Sequence, residues 1–166
     1  DHGKSGPLER AYLALVWGIP PAAGGTVDAP LGRASNNRLK RAVVSPGAPD
    51  ARHALTRYKM LRSFADEKRY PLAALLECRL ETGRTHQIRV HMAHIGHPLI
   101  GDPLYGKHFA TKAEALAEPA KSAVKGFTRQ ALHAAILGFE HPVTGEHLRF
   151  EAPLPGDFER LLSAFE

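Results

Sequence analysis

Glu81-Thr-Gly-Arg-Thr-His-Gln-Ile-Arg-Val-His-Met-Ala-His-Ile-Gly-His-Pro-Leu-Ile-Gly-Asp-Pro-Leu-Tyr-Gly106 is the stretch in which the chain changes period. Before it, apolar residues recur in short β-type runs. From Thr85 onward Ile88, Met92 and Ile95 fall at i, i+4 and i+7, the spacing of one helix face. Thr85 is placed to cap the start, and Gly96 followed by Pro98 ends the pattern, so the sequence predicts a helix of about three turns. Arg84 and Arg89 flank the start of that helix. Unpaired backbone N–H groups there already favour a carboxylate or phosphate, so an anion belongs at this point of the chain.

Working outward toward the N-terminus, Tyr70 to Leu80 and Thr56 to Arg62 carry strand patterns joined by a charged turn, Asp66-Glu-Lys-Arg69. Ala11-Tyr-Leu-Ala-Leu-Val-Trp17 is apolar on both faces and is stopped by Gly18 and Pro20-Pro21, which predicts a central strand. The Pro/Gly-rich span from Ile19 to Gly32 reads as loop, leading into a basic hairpin over residues 33–44. Toward the C-terminus, residues 107–130 turn rich in Ala, Lys and Glu with little apolar periodicity, and are expected to form a variable surface excursion, mobile or helical. Leu132 to Phe139 and His147 to Glu151 are expected strands. Asp157 is placed to cap a last helix turning Phe158, Leu161, Leu162 and Phe165 inward. The expected fold is α+β, with a mixed, mostly antiparallel sheet flanked by helices, and neither repeats nor low-complexity tracts interrupt it.

The 166 residues suffice for one domain with a core. With 22 Lys+Arg against 17 Asp+Glu, the formal net charge is +5, a balance that suits a nucleic-acid partner. The single cysteine, Cys78, excludes a disulfide framework and fits a reducing, cytoplasmic setting. No stretch reaches membrane-spanning length, so no membrane partner is expected. Four histidines, His86, His91, His94 and His97, lie close in sequence, yet they do not share a helix face and no cysteine is near them, so no metal is expected. His133 and His141 read as satisfied core or turn histidines, and Asp102, between Gly101 and Pro103, as a structural turn aspartate.

Gly-Arg-Thr-His-Gln-Ile-Arg-Val-His, then Gly-His-Pro-Leu-Ile-Gly-Asp-Pro-Leu-Tyr-Gly, then Leu132-His-Ala and His141-Pro, closely resemble the C-terminal part of the RluA-type RNA pseudouridine synthases. Arg10-Ala-Tyr-Leu-Ala-Leu-Val-Trp-Gly18 is similar to that family's tyrosine strand, and Asn37-Arg-Leu-Lys-Arg-Ala-Val43 to its basic hairpin. The resemblance implies a fold like that of the pseudouridine synthase catalytic domain, with residues 1–166 as the C-terminal portion of a single such domain. It also marks a departure: the family's essential aspartate sits in a His-Arg-Leu-Asp segment upstream of the tyrosine strand, whereas this sequence opens on Asp1-His-Gly-Lys. Neither Asp1 nor Asp28 has that context, so the chain is expected to lack the nucleophile and to be inactive alone.

The implied reaction isomerises uridine to pseudouridine in structured RNA, ribosomal or transfer, without cofactor or metal. By motif position Arg89 is the arginine that keeps the catalytic aspartate ionised against the desolvation of a water-poor cleft. Taken only as a helix arginine, Arg89 reads as surface charge. Tyr12 is implied to stack near the target base and to assist loss of the C5 proton; strand context by itself makes it a core tyrosine. Arg84 and His86 at the helix mouth, and Arg33, Arg38 and Lys40 on the hairpin, are the expected RNA-facing residues, with Arg41 the weakest fit to the family pattern. A purely RNA-binding module, holding RNA without chemistry, is the second reading. Oligomeric state leaves no mark in the sequence.

Overall fold

The computed structural model describes residues 8–166; the Asp1-His-Gly-Lys opening lies outside the described residues. The element order is β1 (Glu9–Trp17), β2 (Gly24–Asp28), β3 (Leu31–Ala34), β4 (Asn37–Val43), β5 (Leu55–Ala65), β6 (Pro71–Leu80), α1 (Gln87–His94), a 3-10 turn and α2 (Ala110–Glu114), α3 (Ala120–Gly126), β7 (Leu132–Glu140), β8 (His147–Glu151) and α4 (Gly156–Ala164). Six strands form one antiparallel sheet in the order β2-β5-β6-β1-β7-β8, while β3 and β4 pair as a separate hairpin. The α+β class and the antiparallel character agree with the sequence reading.

β1 shows why the molecule has two cores. Its alternating side chains separate Leu15 and Trp17, on one face, from Ala14 and Val16 on the other. The first face is closed by α4 through Phe158, Leu161 and Leu162 and by Val124 and Phe127 of the α3 region. The second face is closed by Ile88 and Met92 of α1. Val90, on the opposite side of α1, packs with Leu31, Ala54 and Tyr105 beneath the hairpin. Consequently α1 is wedged between sheet and hairpin, and all of Gln87–Met92 is buried.

Three expectations are corrected by this structure. The Ile19–Gly32 span contains β2, a strand with only Val27 buried, created by pairing with residues 55–59 of β5. Such an edge strand has no strong local pattern, because its partner lies some thirty residues away. Helix α1 starts at Gln87, two residues after Thr85, and is eight residues long. Thr85 does not cap it: the cap position is His86, in the left-handed region at φ 57°, with no side-chain capping bond. The far end does stop as expected, since Gly96 at φ 90° donates to Ala93 O while His97 N–H donates to Met92 O, the paired bonds of a left-handed helix ending. Asp157 likewise is not the cap of α4, which is Pro155. Its carboxylate instead accepts from Phe158 N at 2.8 Å and pairs with Arg129 at 3.0 Å. Residues 107–130 are helical only in the 3-10 turn with α2 and in α3, and Ala113, Leu116, Ala120 and Val124 of this segment are buried in the first core.

A candidate active-site recess at the mouth of α1

Local hydrogen bonding explains how the basic mouth of α1 is held open. Gln87 Oε1 accepts Thr82 Oγ1–H at 2.7 Å and Arg84 N–H at 3.0 Å, and its amide donates to Leu55 O and Thr56 Oγ1, both at 3.0 Å. Thr56 Oγ1 lies 2.8 Å from His91 Nδ1, whose Nε2 is 2.9 Å from Ala29 O. A carbonyl can only accept, so His91 carries its proton on Nε2 and accepts at Nδ1 from Thr56. Burial holds the His91 pKa below its ordinary value, in keeping with a neutral ring.

A recess of about 320 Å³ opens beside this network. Tyr12 and Leu80 from the strands, Arg84, His86, Ile88 and Arg89 from the helix mouth, and Leu132 from the start of β7 line it. Tyr12 is half-buried at a register shift between β1 and β7, and its hydroxyl has no hydrogen-bond partner among the described residues. The structure therefore brings Tyr12, Arg84, His86 and Arg89 to one concavity. The hairpin residues Arg33, Arg38 and Lys40 do not line it.

Arg89 is buried, with its side chain 10% exposed, and its Nε and Nη2 each donate at 2.8 Å to the two oxygens of Asp102. An acid of the same chain, Asp102, thus occupies the Nε–Nη2 edge of the guanidinium. The cause is the turn at Gly101, whose φ of 79° folds Asp102 back beneath α1. Asp102 Oδ1 also accepts the N–H groups of Leu104 and Tyr105, at 2.9 and 3.0 Å. Burial by itself pushes the Asp102 carboxyl up, but the Arg89 and backbone hydrogen bonds outweigh it and the net direction is down. Asp102 is thus a fully engaged structural anion, as its turn context predicts. Arg84 differs: it is exposed, its Nε donates to His53 O at 2.9 Å, and it has no carboxylate partner among the described residues.

Tyr105 is the residue that sequence reasoning missed. Its hydroxyl accepts Arg41 N–H from β4 at 2.9 Å and lies 2.7 Å from His86 Nδ1. The Arg89 guanidinium carbon sits 5.0 Å from its ring centre and Lys40 Nζ 5.7 Å. The only sequence signal was its place in Gly-Asp-Pro-Leu-Tyr-Gly106, which on its own reads as a turn. The four clustered histidines are drawn apart: His91 is bonded to Thr56 and Ala29, His97 Nδ1 meets Trp17 O at 2.8 Å, and no group of three or more metal-ligating side chains occurs among the described residues.

An antiparallel α+β domain with a tyrosine strand facing an arginine-bearing helix mouth defines the class of protein. The sequence model of the RNA pseudouridylate synthase family matches residues 3–94, and the chain belongs to that family. It is 48% identical over 157 residues to the ribosomal large subunit pseudouridine synthase D of Xanthomonas campestris pv. campestris, a match covering 95% of this chain and 44% of that protein. Against the protein of the same description from Zymomonas mobilis subsp. mobilis the identity is 47%, over 93% of this chain and 44% of the relative. The chain thus spans under half the length of these curated relatives. Among solved structures, human RNA pseudouridylate synthase domain containing 1 superposes with a TM-score of 0.66 at 27% identity, covering 89% of this chain and 55% of that one.

Proposed function

We propose that this chain supplies one wall of the active site of an RNA pseudouridine synthase that isomerises uridine in ribosomal large-subunit RNA in the cytoplasm. The observation that carries the reading is the meeting of Tyr12, Arg84, His86 and Arg89 at a single recess. The names of the relatives favour ribosomal over transfer RNA as substrate.

In the proposed reaction the target uridine leaves its stack and enters the recess. Its C1′–N1 bond breaks, the base turns, C1′ bonds to C5, the C5 proton leaves and N1 gains a proton. Atoms balance without a co-reactant. Tyr12 offers an aromatic face to the base and a free hydroxyl near the proton to be moved. The nucleophilic aspartate, proposed to come from a His-Arg-Leu-Asp segment outside these residues, needs a cation to stay ionised on entering an apolar cleft. Arg84 is the better candidate for direct contact, because Asp102 already neutralises Arg89. Arg89 then serves by locking the mouth of α1 onto the Asp102 turn.

The test uses the full-length protein and large-subunit RNA labelled with tritium at uridine C5. Turnover releases tritium, and Arg84→Ala should lower kcat by about 100-fold at unchanged stability. Full turnover by Arg84→Ala, with loss of turnover by a normally folded Arg89→Lys, would return the direct role to Arg89. RNA bound by the full-length protein without any tritium release would instead favour the binding-module reading.

A further inference from the structure

Hydrogen-bond accounting at Tyr105 reaches beyond its packing role. The Arg41 N–H can only donate, so the phenolic oxygen accepts it at 2.9 Å. The phenolic hydrogen is buried with the rest of Tyr105, and the remaining neighbour within bonding distance is His86 Nδ1 at 2.7 Å, so donation to Nδ1 is the direction that leaves no hydrogen unpaired. With Nδ1 accepting, the neutral imidazole keeps its proton on Nε2. His86 Nε2 has no hydrogen-bond partner among the described residues, and His86 lines the recess with Tyr12 and Arg84. Burial first, and then the nearby Arg89 and Arg41 cations, hold the His86 pKa down, with Asp102 opposing them.

We infer that Tyr105 is a positioning residue which fixes His86 as a neutral Nε2–H donor toward an acceptor oxygen of the bound RNA, and ties that donor to the backbone of the basic hairpin. This rests on the RNA-modifying reading above. One side chain thereby joins the element expected to grip RNA, through Arg41 N, to the recess expected to hold the target base. The left-handed backbone of His86 at φ 57° is what turns its ring back toward Tyr105, whose ring it meets edge-on at 5.5 Å. A neutral donor is suited to this place: it recognises an oxygen without adding charge beside Arg84 and Arg89.

The ¹⁵N chemical shifts of His86 at pH 7.5 report the tautomer directly, in this chain and without any assay of turnover. The expected result is Nε2–H in the wild type, and a mixed tautomer in Tyr105→Phe with faster exchange of the Arg41 amide. An Nδ1–H or doubly protonated ring in the wild type overturns the inference, and decides it even if the variant fails to fold. Unchanged His86 shifts and Arg41 exchange in a folded Tyr105→Phe overturn it as well. In the full-length protein the same substitution should lower kcat/KM for RNA roughly tenfold. A loss in KM with a flatter salt dependence places the acceptor oxygen on a phosphate, whereas a loss in kcat at constant salt dependence places it on the target base. A wild-type protein that lacks turnover yet shows the Nε2–H tautomer refutes the synthase reading while leaving the Tyr105–His86 pairing standing.

Discussion

At the scale of single residues, the site rests on four buried polar groups, Gln87, Arg89, His91 and Asp102, whose partners are fixed in both number and direction. Arg89 and Asp102 form a buried two-point ion pair, and truncating one partner strands the other charge away from water. Arg89→Ala should therefore cost about 3–5 kcal/mol in urea unfolding, besides any effect on turnover. A variant as stable as the wild type would show that Asp102 finds another partner. His91 imposes a pH dependence whose sign follows from its depressed pKa. Below its ordinary value of 6.5 the unfolded chain takes up a proton that the folded ring resists. The stability it contributes is complete above that pH and is lost as pH falls through the folded value; His86 acts with the same sign. Wild type should lose stability between pH 7.5 and 5.5 more steeply than His91→Gln, and equal slopes in the two proteins would exclude His91 as the source.

Among the elements, the β3–β4 hairpin carries Arg33, Arg38, Lys40 and Arg41. Arg38 is exposed on β4, and Lys40 lies over the Tyr105 ring at its edge. Replacing both with alanine should weaken RNA binding by the full-length protein and reduce the slope of log K against log salt by up to about two. An unchanged slope would clear the hairpin of phosphate contact. Helix α1 shows how far local signals carried. Its apolar spacing and its Gly96 ending are legible because they depend on the chain's own 3.6-residue repeat and on a glycine backbone. Its start is not legible: the Arg84 N–H is satisfied by Gln87, which is itself oriented by Thr56 and Leu55 from a strand distant in sequence.

For the whole molecule, one sheet holds apart two cores with different duties. The face closed by α1 positions the recess, while the face closed by α4 and residues 107–130 carries much of the packing. Phe158 is fully buried and meets Phe127 edge-on at 6.4 Å between ring centres. Phe158→Ala should cost about 3–5 kcal/mol by urea unfolding, because the cavity lies between elements that cannot all collapse into it. A loss below 1 kcal/mol would mean that this face repacks freely. No helix among the described residues is long and apolar enough to cross a membrane.

The sequence by itself determined the α+β class, the central place of β1, the strand and helix character of most segments, and the motif that leads to the pseudouridine synthases. These follow from side-chain periodicity and turn chemistry, which act between residues close along the chain. Tertiary structure alone decided that Asp102 takes the Nε–Nη2 edge of Arg89, that β2 exists, and that Tyr105 joins hairpin to helix mouth. Each of these is a pairing across long sequence separations, where the energy depends on distance and direction in space and leaves no local pattern to read.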